Sequence, residues 1–175
     1  MIELLKSDLP LKNVFLKNFL NLGDVEISMV RLWRNSENVR RWSYSDHEIT
    51  PLEHLEFLNA LKSDRKNFYY LVYESQSPLG VISLNRLDLR HKNSFCGLYK
   101  NPEKLSVGKR LLEALLELAF DVLSLHTLKL EVIEGNVRAI ELYKSFGFKE
   151  EGRLKEFVFK DGRWLDVILM GILNS

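Results

Sequence analysis

The pattern of apolar and polar positions changes period several times along this chain, and each change marks an element. Apolar and aromatic runs at 68–73 and 80–87 predict two strands, and Ser75-Gln76-Ser77-Pro78 between them predicts a turn. At 128–133, Leu128, Leu130 and Val132 alternate with Lys129 and Glu131, which predicts a strand with two unlike faces. Helical spacing appears at 25–34, where Met29, Val30, Leu32 and Trp33 supply apolar area, and at 107–123. Another helix is expected over 51–61, because Thr50-Pro51-x-Glu53 places Pro at a first helical position. A short helix or turn at 38–42 then precedes a polar stretch, 43–49. Strands are expected within 11–20, at 94–100, at 152–159 and at 164–173. Asp161-Gly162 between the last two is a strong hairpin signal.

The most informative segment follows the 128–133 strand. Asn136 suits an N-cap, because its side chain accepts from an otherwise unpaired first-turn N–H. Gly147 suits the residue after a helix, where a left-handed conformation is common. Between them Asn136, Ala139 and Tyr143 share one face at i, i+3 and i+7. A polar, a small and a phenolic residue form a stripe along which something slender could lie. Ala139, Leu142, Tyr143 and Phe146 also make an ordinary amphipathic stripe, so this segment alone decides nothing.

A second segment changes that. The strand 94–100 leads through Asn101-Pro102-Glu103-Lys104-Leu105 to Ser106-Val107-Gly108-Lys109-Arg110 and the apolar helix. A strand, a short loop and a helix N-terminus make an anion site, since the first-turn N–H groups lack partners and the helix dipole is positive there. Ser106 and Gly108 are small enough for backbone to approach a phosphate, and Lys109 and Arg110 add charge.

Together the two segments resemble the cofactor motifs of the GNAT N-acetyltransferases. That family's loop reads Gln/Arg-x-x-Gly-x-Gly/Ala, against Glu103-Lys104-Leu105-Ser106-Val107-Gly108 here. Glu103 and Ser106 depart from it, which leaves pyrophosphate binding to backbone N–H groups from Ser106 to Arg110. Asn136-x-x-Ala139-x-x-x-Tyr143-x-x-x-Gly147-Phe148 fits the second motif at each marked position. The resemblance implies acetyl-coenzyme A as donor, with Asn136 and Ala139 along the pantetheine arm and Tyr143 near the thioester sulfur. It also implies one α/β domain over 1–175, a mixed and mostly antiparallel sheet flanked by helices, with a V-shaped opening between central strands.

Composition is consistent with this. The chain has 175 residues, 46% hydrophobic, enough for one domain with a sizeable core. Lys+Arg 25 against Asp+Glu 24 leaves a formal charge of +1, so no large pull on nucleic acid is expected. No apolar run approaches the roughly 20 residues that cross a bilayer, and Glu3 and Asp8 interrupt any signal-peptide pattern. Cys96 is alone, so no internal disulfide forms, and a cytoplasmic location is expected.

Direct acetyl transfer needs three groups. Tyr143, with an ordinary pKa of about 10, is the candidate acid for the leaving thiolate. A backbone N–H near Leu98 or Tyr99 is the candidate oxyanion donor. For the base there is Glu131, on the strand face opposite Leu128 and Leu130, or a water relay. In the amino-terminal third, Arg34 could clamp a phosphate or carboxylate, while Trp42, Tyr44 and Phe57 could stack on a base or sugar. Trp33 and Phe57 read equally as core, and His54 as an exposed helix residue. Here the chain is similar to the N-acetyltransferases of bacterial pseudaminic acid biosynthesis, through Arg34-Asn35, Trp42-x-Tyr44, Glu53-His54-Leu55-x-Phe57-Leu58, Gly80-Val81-x-Ser83, Gly97 to Pro102 and Glu151-Gly152-Arg153-Leu154-Lys155. Those enzymes acetylate the 4-amino group of a UDP-linked amino sugar. The resemblance implies a small-molecule pocket of Arg34, Tyr44, His54, Phe57, Ser83, Tyr99 and Glu131, with Ser83 joining Tyr143 and Glu131 in the chemistry. Gly-Arg-Leu-Lys near the end also occurs in ribosomal-protein and polyamine acetyltransferases. Glu48, Glu53 and Glu56 form a thin carboxylate cluster for a polyamine. A non-catalytic coenzyme A module is the reading from another class, resting on Glu103 and Ser106. Apolar strand edges near the C-terminus suggest a homodimer.

Overall fold

The computed structural model describes residues 1–174. Eight strands form one sheet in the order β1-β2-β3-β4-β5-β6-β8-β7. They are β1 (Leu9–Pro10), β2 (Phe15–Asn18), β3 (Phe68–Glu74), β4 (Ser77–Asp88), β5 (Asn93–Lys100), β6 (Thr127–Ile133), β7 (Lys149–Lys160) and β8 (Arg163–Leu173). The helices are α1 (Ile2–Leu5), α2 (Asp24–Asn35), α3 (Glu37–Arg40), α4 (Pro51–Leu61), α5 (Gly108–Leu116) and α6 (Val137–Ser145). This is the mixed α/β sheet expected, with β5 and β6 as its parallel pair.

Several boundaries differ from the sequence reading. The expected strand within 11–20 shortens to β2, followed by a 3-10 turn at Phe19–Asn21. Pro78 lies inside β4 rather than in a turn, and Ser75 makes the tight turn with φ 54°. The long helix at 107–123 is α5 plus a π-helical turn, Glu117–Val122. The Asp161-Gly162 hairpin forms as read, with φ 50° and 75°, the mirror-image turn that matches strand twist.

Two apolar layers sandwich the sheet. On one face Leu111, Leu112, Leu115 and Leu118 pack against Ile82, Leu84, Leu128 and Leu130. On the other, Val30 and Trp33 of α2 and Leu58 and Leu61 of α4 pack against Leu71 and Val81. A smaller cluster of Ile133, Val158 and Val167 lies under the terminal hairpin, with Trp42 packed on it. β7 is the sheet edge, and Phe157, Phe159 and Trp164 around it are exposed. Among the described residues no helix is long and apolar enough to cross a membrane.

The feature that positions the site is a failure of pairing. β5 and β6 share only Asn93↔Thr127, Ser94↔Leu128 and Phe95↔Lys129. Beyond them β5 runs to Lys100 and β6 to Ile133, and the two diverge into a V-shaped gap. Gly80 secures the outer side of β5. A Cβ there would stand 2.5 Å from the Tyr99 carbonyl and 2.7 Å from Leu111, so only glycine lets β4, β5 and α5 close together.

Candidate active site

The gap exposes backbone that strand pairing would have consumed. Lys92 accepts from His126 and Thr127 on the β6 side, while the Asn101 N–H reaches Leu79 on the β4 side. Residues alternate between the two edges of a strand. The N–H of Leu98 therefore points into the gap, and that of Tyr99 points to β4. Of the two expected oxyanion donors, only Leu98 has its N–H on the gap side; the Tyr99 N–H faces β4, and its ring joins the apolar cluster on the other face.

Below the gap lies the turn into α5. Ser106 adopts φ 57°, the left-handed region that favours glycine. The family glycine at this position thus supplies backbone freedom, and this chain accepts strain to keep a serine. Gly108 also has a packing reason to be small: a Cβ would lie 3.1 Å from Leu142 Cδ2, so it lets α5 and α6 meet. Val107 caps α5 without a side-chain bond, which leaves the first-turn N–H groups open to an anion. The Arg110 Nε pairs with Glu74 at 3.1 Å, so part of its charge is already answered. Lys109 is exposed, with no ion pair among the described residues.

Across the gap, α6 forms as the sequence implied. Asn136 accepts from the Ala139 N–H at 3.4 Å. At the other end, Gly147 at φ 95° lets its own N–H reach Lys144 and the Phe148 N–H reach Tyr143. Ala139 is half-buried and Tyr143 buried on this helix. The Tyr143 ring packs on Phe148 at 5.7 Å, and its hydroxyl has no hydrogen-bond partner among the described residues. Burial, with Cys96 nearby, pushes that hydroxyl far above its ordinary value, so it keeps its proton. Leu98, the α5 N-terminus, Ala139 and Tyr143 are the groups that the resemblance assigns to the pantetheine arm and its diphosphate.

The opposite face of the sheet carries the second compartment. Phe57, Tyr69, Tyr99 and Val81 belong to one apolar cluster there. Phe57 stands edge-on to Tyr69 at 5.0 Å. Arg34 from α2 reaches the same place. It donates to Ser45 Oγ at 3.3 Å and has no carboxylate partner among the described residues. Burial lowers its pKa, and the Tyr99 and Tyr69 hydroxyls oppose that. Burial also pushes the Tyr99 hydroxyl well up. Ser83 is buried in a cross-strand row, opposite Tyr69 on one side and Gly97 on the other.

Glu131 is not the solvated strand carboxylate one reading allowed. Its Oε1 accepts from Arg86 at 2.7 Å and its Oε2 from the Tyr44 hydroxyl at 2.6 Å. Arg86 in turn lies 3.6 Å over the Phe95 ring, at a bulge where its φ is 52°. His54 also departs from expectation. It is buried rather than exposed, stacks near Phe57 at 6.1 Å, and its Nε2 has no partner among the described residues. Burial, with Arg31 nearby, lowers its pKa.

The remaining wall is one that sequence reading missed. Lys160, buried at the end of β7, donates to the carbonyls of Arg40 at 2.6 Å, Ser43 at 2.7 Å and Ser45 at 3.1 Å. Phe157 meets Tyr44 edge-on at 6.2 Å. The terminal hairpin thereby fixes the loop carrying Tyr44 and Ser45. Arg86, Tyr69 and Lys160 had no signal in the chain, since each acts through a residue distant in sequence. A depression of about 320 Å³ beside Phe95, Lys129, Glu151 and Leu169 continues this face past Glu131.

Comparison with known proteins agrees with this geometry. Residues 25–169 match the family described as the acetyltransferase (GNAT) domain. The chain is 32% identical over 144 residues to the acetyltransferase PseH of Campylobacter jejuni, covering 82% of this chain and 90% of that one. It is 29% identical over 159 residues to the spermidine N(1)-acetyltransferase of Vibrio cholerae, covering 89% and 91%. Among solved structures, Campylobacter jejuni PseH in complex with acetyl coenzyme A superposes with TM-score 0.73 at 27% identity, over 93% of this chain and 99% of that one. The Vibrio cholerae spermidine N-acetyltransferase in complex with CoA and spermine gives TM-score 0.82 at 25% identity, over 93% and 96%. The chain belongs to the GNAT acetyltransferases, whose acetyl donor is acetyl-coenzyme A.

Proposed function

We propose that this acetyltransferase acts on the amino group of a nucleotide-linked amino sugar, most closely the 4-amino group of UDP-4-amino-4,6-dideoxy-N-acetyl-altrosamine. The observation that carries this reading is Arg34, a half-buried guanidinium without a carboxylate, set among Phe57, Tyr69 and Tyr99. Such a group favours an anion, and a diphosphate supplies one. The aromatic rings offer faces for a base or sugar.

A polyamine acceptor would instead need several carboxylates free to face it. Glu131 is engaged by Arg86 and Tyr44. Glu48 pairs with Arg40, and Glu53 caps its own helix and meets His47, which leaves Glu56 as the one member of that cluster without an ion pair among the described residues. The similarity to PseH by sequence supports the same direction. The departure at Ser106 gives the non-catalytic reading little support, because the position already holds the backbone conformation a glycine would.

The chemistry follows from the gap. The amine enters over Gly97, where the missing side chain leaves room between Ser83 and Glu131. Ser83 takes a hydrogen bond from it, and Glu131 holds charge nearby while a proton leaves through water. The nitrogen attacks the thioester carbonyl, Leu98 N–H donates to the developing oxyanion, the C–S bond breaks, and the Tyr143 hydroxyl donates to the departing thiolate, any proton it gives being restored from water. A thiol-release assay with the UDP-amino sugar and with spermidine tests the reading. Turnover of the sugar nucleotide at least about tenfold more efficiently supports it. Turnover of spermidine alone would remove it.

A further inference from the structure

Ser83 has been given an accepting role, and a chain of amides behind it decides whether that role is open. The chain begins at Asp64. Its Oδ1 receives the backbone N–H groups of Lys66 at 2.7 Å and Asn67 at 3.0 Å, and its Oδ2 receives Asn67 Nδ2 at 2.8 Å. A carboxylate only accepts, so Asn67 must present its NH₂ to Asp64. Its Oδ1 then faces the other way, where the backbone N–H of Arg86 donates to it at 3.2 Å. A backbone N–H only donates, so the orientation of Asn67 is fixed independently from both ends.

The same logic passes to the next residue. Asn85 contacts Asn67 Oδ1 at 3.4 Å and the Tyr69 hydroxyl at 3.0 Å through Nδ2. With its NH₂ committed there, its Oδ1 faces Ser83 Oγ at 3.0 Å. A carbonyl oxygen carries no hydrogen, so the serine must donate. The other acceptor within reach among the described residues is the Gly97 carbonyl at 3.5 Å, which points toward β4 and not into the gap. Either choice turns the single hydroxyl proton away from the gap and leaves only lone pairs facing it.

We infer that Asn85 is a positioning residue that locks Ser83 as a hydrogen-bond acceptor toward the attacking amine, with Asp64 and Asn67 setting the polarity of the lock. This rests on the acetyl-transfer reading above. An unlocked hydroxyl would be free to donate to the nitrogen lone pair, which is the electron pair that must reach the carbonyl. A locked one accepts from an amine N–H and leaves that lone pair available. Asparagine passes no proton onward, so the chain orients and does not conduct.

The test is a double-mutant cycle on the full chain, read as steady-state kinetics for the acceptor and for acetyl-coenzyme A. Asn85→Leu is expected to lower kcat/KM for the acceptor at least about tenfold when Ser83 is present, and less than about twofold in a Ser83→Ala background. The KM for acetyl-coenzyme A stays within about twofold, because Asn85 does not touch the donor slot. Asn85→Asp keeps an oxygen toward Ser83 and retains most of the rate. Asn85→Ala takes the place of the leucine variant should melting show that variant unfolded. Equal losses in both backgrounds would make Asn85 merely structural and overturn the inference, as would full activity of Ser83→Ala. Wild type that turns over beside additive variants removes this inference alone. Wild type silent on every amine removes the acetyl-transfer reading and this one with it.

Discussion

The proposed donor slot and the proposed acceptor compartment sit on the same gap but are made of different material. The donor slot uses backbone: the Leu98 N–H, the open first turn of α5, a left-handed Ser106 and the narrow face at Ala139. Its parts come from two short stretches of chain. The acceptor compartment uses side chains from α2, α4, β3, β4, β5, β6 and the loop after α3, and the β7–β8 hairpin secures that loop. Backbone recognition of the donor would tolerate a side-chain change such as the serine at 106, which holds the left-handed φ of 57°. Side chains recognise what distinguishes one amine from another, and they depend on distant supports.

The sharpest way to break this contrast is Tyr143→Phe, the one side chain on which donor chemistry depends. We expect kcat to fall about 100-fold, with the KM for acetyl-coenzyme A unchanged. Full turnover at every pH would return Tyr143 to the core and make the donor side backbone alone. Arg34→Met comes next. Its kcat/KM for a nucleotide-linked acceptor should drop about 50-fold, roughly what a lost charged hydrogen bond costs, while a small amine without a phosphate loses little. Equal losses for both acceptors would show that Arg34 holds the fold and not the ligand.

Lys160→Met probes the support rather than the wall. It removes three charge-assisted bonds and strands three carbonyls, at about 2 kcal/mol. Thermal melting should drop by about 4–8 °C at this chain length, and the acceptor KM should rise about tenfold while the donor KM holds. A shift in both KM values together would mean that the hairpin steadies the whole sheet and that the two compartments are not separable.

The smallest effect concerns His54. Its pKa is lowered in the folded protein, while an unfolded chain keeps the ordinary value near 6.5. Below that pH the unfolded state takes up a proton that the folded state refuses. Stability is therefore full above about pH 6.5 and declines as the pH falls through it. The melting temperature of wild type should drop more between pH 7.5 and 5.5 than that of His54→Leu, by about 1–3 °C. Identical slopes would show that the buried imidazole has a polar partner after all.

The helix caps and the hairpin turn were legible because they depend on local spacing. Asn136 caps α6, Gly147 ends it and Asp161-Gly162 turns the hairpin, each through bonds spanning only a few residues. The acceptor residues Arg34, Phe57, Ser83 and Tyr99 were named from resemblance, and the structure brings them onto one sheet face. Glu131 and His54 were also named, but with surroundings that the structure revises. No spacing rule announces that Glu131 is held by residues 45 and 87 positions away.

The sequence by itself determined the elements, the hairpin, the helix caps and the family, because periodicity and capping are properties of neighbouring residues. Only the tertiary structure decided that Leu98 and not Tyr99 offers its N–H to the gap, that Arg110 pairs with Glu74, and that Lys160 holds the loop of Tyr44. Each of these depends on which edge a strand leaves unpaired or which segments packing brings together. Long-range pairing sets those contacts, and a linear pattern does not carry it.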